Sequence, residues 1–374
     1  MGTAIARAAA MAAALASAIG CAPRADEEVV VYTALDEEFS RPIFEAFTRE
    51  TGVAVRAKFD VESTKSVALA QAILAERERP RCDVFWNNEV VNTLRLDRQG
   101  LLAVHRSAAG ADYPPQYRSP RGTWYGFAAR ARVLIVNTKL LGDAPGGDAV
   151  ATGGVDSSEN PPVANASRPR LPETWPRSIR DLADPQWKGR CGIAKPLAGT
   201  TATHAAVLFA AWGDDAAKEF FRAVKANAQV MGGNKQVARA VADGELAWGL
   251  TDTDDAIIEL ESGRPVAIVF PDQTAAGSDQ PLGTLMIPNT LAIIEGAPHR
   301  AEAERLVEYL LSPEVEGRLA AGPSAQFPLS RKRQGGSRVA PAGGIREMEV
   351  DFAAAAEKWE AAATFLRDEL ATAE

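Results

Sequence analysis

The sequence predicts an α/β protein built in two lobes, on three observations: its length, a βαβαβ run near its start, and a second α/β unit in its latter half. With 374 residues and 46% hydrophobic content, the chain has enough material for two packed cores, each of roughly 150 residues. Val29-Val30-Val31-Tyr32-Thr33 reads as a buried strand, followed by a helix on which Phe39, Ile43, Phe44 and Phe47 share one face. Pro42 suits the first turn of that helix, and Gly52 ends it. A strand from Val53 to Phe59, a helix from Ser63 to Glu78 and the strand Asp83-Val84-Phe85-Trp86 complete the run. That order implies a parallel sheet covered by helices, whose ligands sit at the C-terminal ends of the strands. Those ends are polar here, reading Thr33-Ala34-Leu35-Asp36 and Asn87-Asn88-Glu89.

From Gly142 to Arg170 the chain has five glycines and four prolines and no leucine, isoleucine or aromatic residue, which predicts a disordered surface insertion. Order resumes with the strand Cys191 to Ala194 and helices from Thr201 to Trp212, Asp215 to Lys225 and Lys235 to Asp243. The strand Leu246 to Thr251, the acidic turn Asp252-Thr253-Asp254-Asp255, a helix to Glu261 and the strand Val266 to Phe270 close the second unit. Two apolar segments, Arg132 to Asn137 and Leu285 to Ile294, are long enough to pass between the lobes as a hinge. Arg300 to Leu319 forms two amphipathic helices, and a last helix spans Val350 to Leu370. The predicted organisation is residues 29–132 with 290–322 as lobe 1 and 133–289, carrying the insertion 142–170, as lobe 2. Residues 340–374 supply a C-terminal helix on lobe 2.

Ahead of these lobes, Arg7 and the apolar run from Ala8 to Ile19 predict a signal peptide over residues 1–20. The run is too short to span a bilayer. Ala18-Ile19-Gly20-Cys21 looks like a bacterial lipobox, which would lipidate Cys21 and leave 21–28 as a tether; ordinary cleavage would leave Cys21 incidental. Either route places the mature chain in the periplasm or cell envelope, touching the membrane only through the lipid. Cys82 and Cys191 each precede a strand of a different lobe, so their starts lie too far apart for a disulfide, and buried free thiols are expected.

A net charge of -8 with no basic stripe excludes nucleic acid as a partner. Enzyme motifs are absent: there is no G-x-S-x-G elbow, no phosphate-binding glycine loop and no G-x-G-x-x-G. The three histidines, His105, His204 and His299, are scattered. Asp252, Asp254 and Asp255 gather carboxylates at one strand-to-helix turn, which suits a hard cation, although Asp254 could simply cap the helix while Asp255 favours its positive end. The spacing lacks the glycine and terminal glutamate of an EF-hand. Thr200 and Thr201 follow Gly199 at a helix start, where free N–H groups favour an anion and where threonine also serves as a cap. Facing such a helix start, the acidic turn could instead grip a zwitterion. A carboxylate-dependent hydrolase is the rival from a different class.

Val31-Tyr32-Thr33-Ala34, Thr51-Gly52-Val53, Asp83-Val84-Phe85-Trp86, Gly199-Thr200-Thr201, and Asp243-Gly244-Glu245 leading into Gly249-Leu250 together resemble the ferric-iron-binding proteins of bacterial importers. The resemblance covers nearly all of the chain beyond Cys21 except the insertion. It implies the two-lobed periplasmic binding protein fold (type II) with two crossing hinge strands, and delivery of ligand to an ABC permease in the inner membrane by a monomeric shuttle. It implies no cofactor, only the cargo, Fe3+ with a synergistic anion or a related metal complex. The family's tyrosine pair falls at Asp254 and Asp255, its ligand after the first strand at Asp36, and its glutamate at Asn88, with Glu89 beside it. The anion position falls at Thr200 and Thr201, with its asparagine at Asn234, and Asp252 as a neighbour. Tyr32 and Tyr125 are the tyrosines expected near the cleft. The same transport role for a small zwitterionic or cationic organic solute, such as an aminophosphonate or amine, stands as the alternative.

Overall fold

The computed structural model describes residues 27–60, 66–142, 171–172, 174–273, 282–333, 335–341 and 344–371. The expected signal peptide 1–20, Cys21, most of the 21–28 tether and all but the first residue of the 142–170 insertion lie outside the described residues.

The first run comprises β1 (Glu28–Thr33), α1 (Glu37–Thr51), β2 (Ala54–Phe59), α2 (Val67–Ala75), β3 (Val84–Asn87) and α3 (Val91–Arg98). β1 is parallel to both β2 and β3, because each return passes through a helix. α1 buries Phe39, Ile43, Phe44 and Phe47 and ends at Gly52, whose φ of 78° a side chain would strain. It begins at Glu37, so Pro42 stands in its second turn rather than its first. Glu37 and Glu38 hold the first turn, where the helix dipole favours acids.

β4 (Tyr125–Asn137) is buried along its whole length and joins the lobes. Its first half pairs antiparallel with β9 (Met286–Ile293), and its second half with β7 (Trp248–Asp252) and β8 (Val266–Val269). β4 and β9 are the crossing hinge strands, and the hinge begins earlier on β4 than the segment read from Arg132. A bulge between Phe127 and Arg130, with Ala128 at φ 42°, bends β4 at the crossing and re-aims the side chains that follow.

The second run adds α4 (Thr138–Leu141), β5 (Cys191–Ala194), α5 (Gly199–Trp212), α6 (Asp214–Asn227), β6 (Gln229–Met231), α7 (Asn234–Asp243) and α8 (Thr253–Glu261). β5 is parallel to β6 and β7, giving the sheet order β2-β1-β3-β9-β4-β7-β5-β6 with β8 on β4. Cys82 and Cys191 are buried and free. After β9, α9 (Arg300–Leu310) and α10 (Pro313–Ala321) return to the first lobe, against β9 and β4.

The C-terminal helix α11 (Phe352–Ala371) reaches further than packing on lobe 2. It lies on α5 and α6 but also on α3 of the first lobe. Trp359 shares a buried cluster with Leu96 and Ala206, while Leu366 packs with Phe209 and Phe221. Arg95–Glu360 and Arg98–Glu357 pair on the first side, and Lys358–Asp214 at 2.7 Å on the second. Its apolar face therefore belongs to both cores, which 20 residues of helix can span.

Candidate functional site

The C-terminal ends of β1, β3, β5 and β7 face one another across a cavity of about 240 Å3. Asp36, after β1, and Asn88, after β3, line it from the first lobe, and Arg130 of β4 lines it from the hinge. The second lobe contributes Lys195, the start of α5 at Gly199–Thr201, the start of α7 at Asn234, and Asp252, Asp254 and Asp255 around the start of α8. α5, α7 and α8 all begin here with no side-chain cap hydrogen bond. Helix starts without a side-chain cap, each with a positive dipole end, thus converge on one space.

Behind that wall, Arg132 organises the predicted binding residues. Its Nη1 donates to Asp252 Oδ1 at 2.6 Å, Asn234 Oδ1 at 3.1 Å and Thr200 Oγ1 at 3.3 Å, and its Nη2 to Thr201 Oγ1 at 3.2 Å. Thr200 Oγ1 donates to Asp252 Oδ2 at 2.5 Å, and Asn234 Nδ2 donates to the same oxygen at 3.0 Å. Thr200, Thr201, Asn234 and Asp252 are therefore brought together, with their side chains hydrogen-bonded to one another and to Arg132. Neither threonine caps α5, because the N-cap is Ala198. Asp254 does not cap α8 either: Asp252 holds that position, and Asp254 and Asp255 lie in the first turn.

The carboxylate oxygens of Asp252, Asp254 and Asp255 come within 4.8 Å of one another. Such a cluster needs positive charge close by, and Arg132 supplies it to Asp252. Arg130 approaches Asp254, Nη2 to Oδ2 at 3.5 Å, and is only 2% exposed. Burial works to lower the Arg130 pKa, but Asp254, Asp252, Asp36 and Asp255 together hold it above the ordinary arginine value. Its Nε and Nη2 have no hydrogen-bond partner, so a buried guanidinium with donors to spare borders the cavity.

Glu89 is a correction. It is fully buried behind Asn88, away from the cavity lining, and its oxygens accept from the backbone N–H groups of Val91 and Asn92, from Asn87 and from Thr203. The start of α3, the Asn87 amide and the Thr203 hydroxyl together use its acceptor capacity. Tyr32 and Tyr125 also lie outside the lining: Tyr32 donates to Glu76, and Tyr125 to the His105 carbonyl. Asp36 does face the cavity, but its Oδ2 sits 2.8 Å from Lys235 Nζ.

Arg130, Arg132, Lys195 and Lys235 are absent from the sequence-based site. A usable signal existed for two of them. Arg130 and Arg132 interrupt an otherwise apolar strand two positions apart, so they share a face, and buried arginine demands a partner.

Residues 147–321 match the family of bacterial extracellular solute-binding proteins. The chain is 28% identical over 229 residues to the Fe(3+)-binding periplasmic protein of Serratia marcescens, covering 61% of this chain and 58% of that protein's length. It is 23% identical over 327 residues to the major ferric iron-binding protein of Neisseria meningitidis, covering 84% and 85%. A Salmonella typhi protein named for binding 2-aminoethylphosphonate is 23% identical over 314 residues, covering 81% and 80%. Among solved structures, iron-bound HitA from Pseudomonas aeruginosa superposes with a TM-score of 0.74 at 23% identity, over 92% of this chain and 99% of that one. AfuA from Actinobacillus pleuropneumoniae, with fructose-6-phosphate bound, also gives 0.74, at 21% identity over 93% and 100%. The architecture is that of the two-lobed periplasmic iron-binding proteins.

Proposed function

From its similarity in sequence and fold to the periplasmic ferric-iron-binding proteins, we propose that this chain is the substrate-binding component of an ABC importer. Its cargo on this reading is ferric iron or a related metal complex, enclosed between the lobes and released to an inner-membrane permease. The observation that carries the reading is the juxtaposition, in one interlobe cavity, of the Asp254–Asp255 turn with the uncapped start of α5 and the buried Arg130. A hard cation would take Asp254 and Asp255 as oxygen ligands. Its synergistic anion would take the amides of Thr200 and Thr201 and the spare donors of Arg130. Asn88 would close the site from the other lobe. No phenolate lines this cavity, so the bound ferric ion would lack the visible charge-transfer band of a tyrosinate site.

The mechanism is hinge motion: ligand binds the closed arrangement better than the open one, and the permease recognises closure. The reading includes no catalytic step, in keeping with relatives that are solute-binding proteins. It includes export through residues 1–20, a lipid anchor at Cys21 and action as a monomer.

A second reading is favoured by the placement of Arg130 and Arg132 beside the carboxylates. The four acids lining the cavity, Asp36, Asp252, Asp254 and Asp255, are accompanied by the paired Arg130, Arg132 and Lys235 and by Lys195 in the lining, which suits a zwitterion with an ammonium on the aspartates and a phosphonate or carboxylate at α5. Native mass spectrometry with metal analysis of freshly purified protein tests the first reading. Co-purified or titratable ferric iron supports it. Calorimetric binding of 2-aminoethylphosphonate, with no response to ferric iron plus phosphate, replaces it with the second.

A further inference from the structure

Lys235, at the start of α7 in the second lobe, reaches across the cleft. Its Nζ lies 2.8 Å from Asp36 Oδ2 and 3.0 Å from Glu38 Oε1, both at the start of α1 in the first lobe. Asp36 occupies the N-cap position of α1, yet its side chain makes no capping bond there. An aspartate in that position ordinarily serves its own helix; this one is turned toward the other lobe. Burial works to lower the Lys235 pKa, and Asp36, Glu38 and Asp255 more than offset it, so the ammonium is charged throughout the physiological range. The Thr203–Glu89 hydrogen bond between the lobes, at 2.7 Å, is fully buried, whereas Lys235 is within reach of solvent ions. Hinge rotation that separates the start of α1 from the start of α7 must break the Lys235 pairs.

We propose that Lys235 is a positioning residue for ligand capture: it holds the lobes in the closed arrangement by pairing with Asp36 and Glu38, and thereby commits Asp36 to closure rather than to the ligand. Lys235 raises the closed population of the ligand-free protein, and any ligand needing that arrangement binds tighter in proportion. The inference holds for either cargo, since it concerns the protein before ligand arrives.

The test is small-angle scattering of the ligand-free full chain, comparing wild type, Lys235→Met and Lys235→Arg at low and high salt. Lys235→Met is expected to raise the open-to-closed ratio about two- to fivefold, the range for a partly exposed pair. It should also remove the opening that salt induces in wild type, because only a charged pair is screened. Lys235→Arg should restore both behaviours, which a merely steric role for the side chain would not require. Scattering by a folded Lys235→Met protein that matches wild type at both salt levels overturns the proposal. Failure of ferric iron or 2-aminoethylphosphonate to bind would count against the cargo while leaving this result intact.

Discussion

Arg132 Nη1 lies 2.6 Å from Asp252 Oδ1, and the two side chains are 0% and 2% exposed. This pair fixes the start of α8 to the hinge strand, and through Thr200, Thr201 and Asn234 it fixes the starts of α5 and α7 as well. Arg132→Met should therefore destabilise the protein by about 3–5 kcal/mol, because Asp252 would be left charged and buried without its partner. Denaturant unfolding measures the loss. Arg132→Met combined with Asp252→Leu should recover much of it; a double variant no more stable than the single one would show that the pair is not the source.

Asp254→Ala combined with Asp255→Ala separates a cation site from a helix-start acid pair. If the turn holds the cargo's cation, the double variant loses calorimetric binding altogether. If the pair serves only to neutralise Arg130 and favour the start of α8, affinity stays unchanged while stability falls by about 3–5 kcal/mol, because Arg130 loses its buried partner.

Arg130→Gln tests the other half of the cavity. A charged hydrogen bond to the cargo's anion is worth about 1.5–3 kcal/mol, so affinity should fall about tenfold to a hundredfold. A titration in which phosphate concentration is varied checks the assignment: the variant should lose the dependence on phosphate that wild type shows.

Much of the architecture was legible because it rests on periodicity. Phe39, Ile43, Phe44 and Phe47 recur at helical spacing, and β1, β5 and β7 each match a predicted strand within two residues. Short elements were not legible: β6 has three residues, and α3 carries its buried Val91 and Leu96 in only eight. The site was half legible. Strand ends and helix starts can be placed from sequence, so Asp36, Asn88, Thr200, Thr201, Asn234, Asp252, Asp254 and Asp255 all meet the cavity. What an end residue does next depends on partners distant in sequence. Asp252 is 120 residues from Arg132 and Asp36 is 199 from Lys235, and no local pattern records either pairing. Glu89 was misplaced for the same reason, since Thr203 claims it from the other lobe.

Glu89→Gln should act on stability and leave the cargo's stoichiometry unchanged. The carboxylate accepts from two amides at the start of α3 and from Thr203, and a neutral amide accepts less well and presents donors to donors. A loss of about 1–3 kcal/mol in denaturant unfolding is expected. Loss of binding by a variant that is otherwise as stable as wild type would return Glu89 to the ligand set.

His204, one turn along α5 from Thr200, sets a pH limit on the second lobe. It is 4% exposed, and its pKa is held well below the ordinary histidine value of 6.5, by burial first and by the nearby Arg132 charge second. Above that value His204 is neutral in both folded and unfolded chains and contributes nothing to pH dependence. Below it, the unfolded chain takes up a proton that the folded chain refuses. Stability therefore falls as pH falls, by up to about 1.4 kcal/mol per pH unit, until the folded pKa is reached. Asp272 and Glu316 act oppositely: burial raises both from ordinary values of 3.8 and 4.5, so their contribution is present at low pH and lost as pH rises through the folded pKa. Both carboxyls are present in wild type and in a His204 variant alike, so the difference between the two proteins reports the histidine. Unfolding free energies of wild type and His204→Leu, measured between about pH 7.5 and 5.5, should diverge only on the acid side, with the shallower slope in the variant. Parallel curves over that range would mean that His204 takes up its proton in the folded state and that the Arg132 network tolerates a second cation beside it.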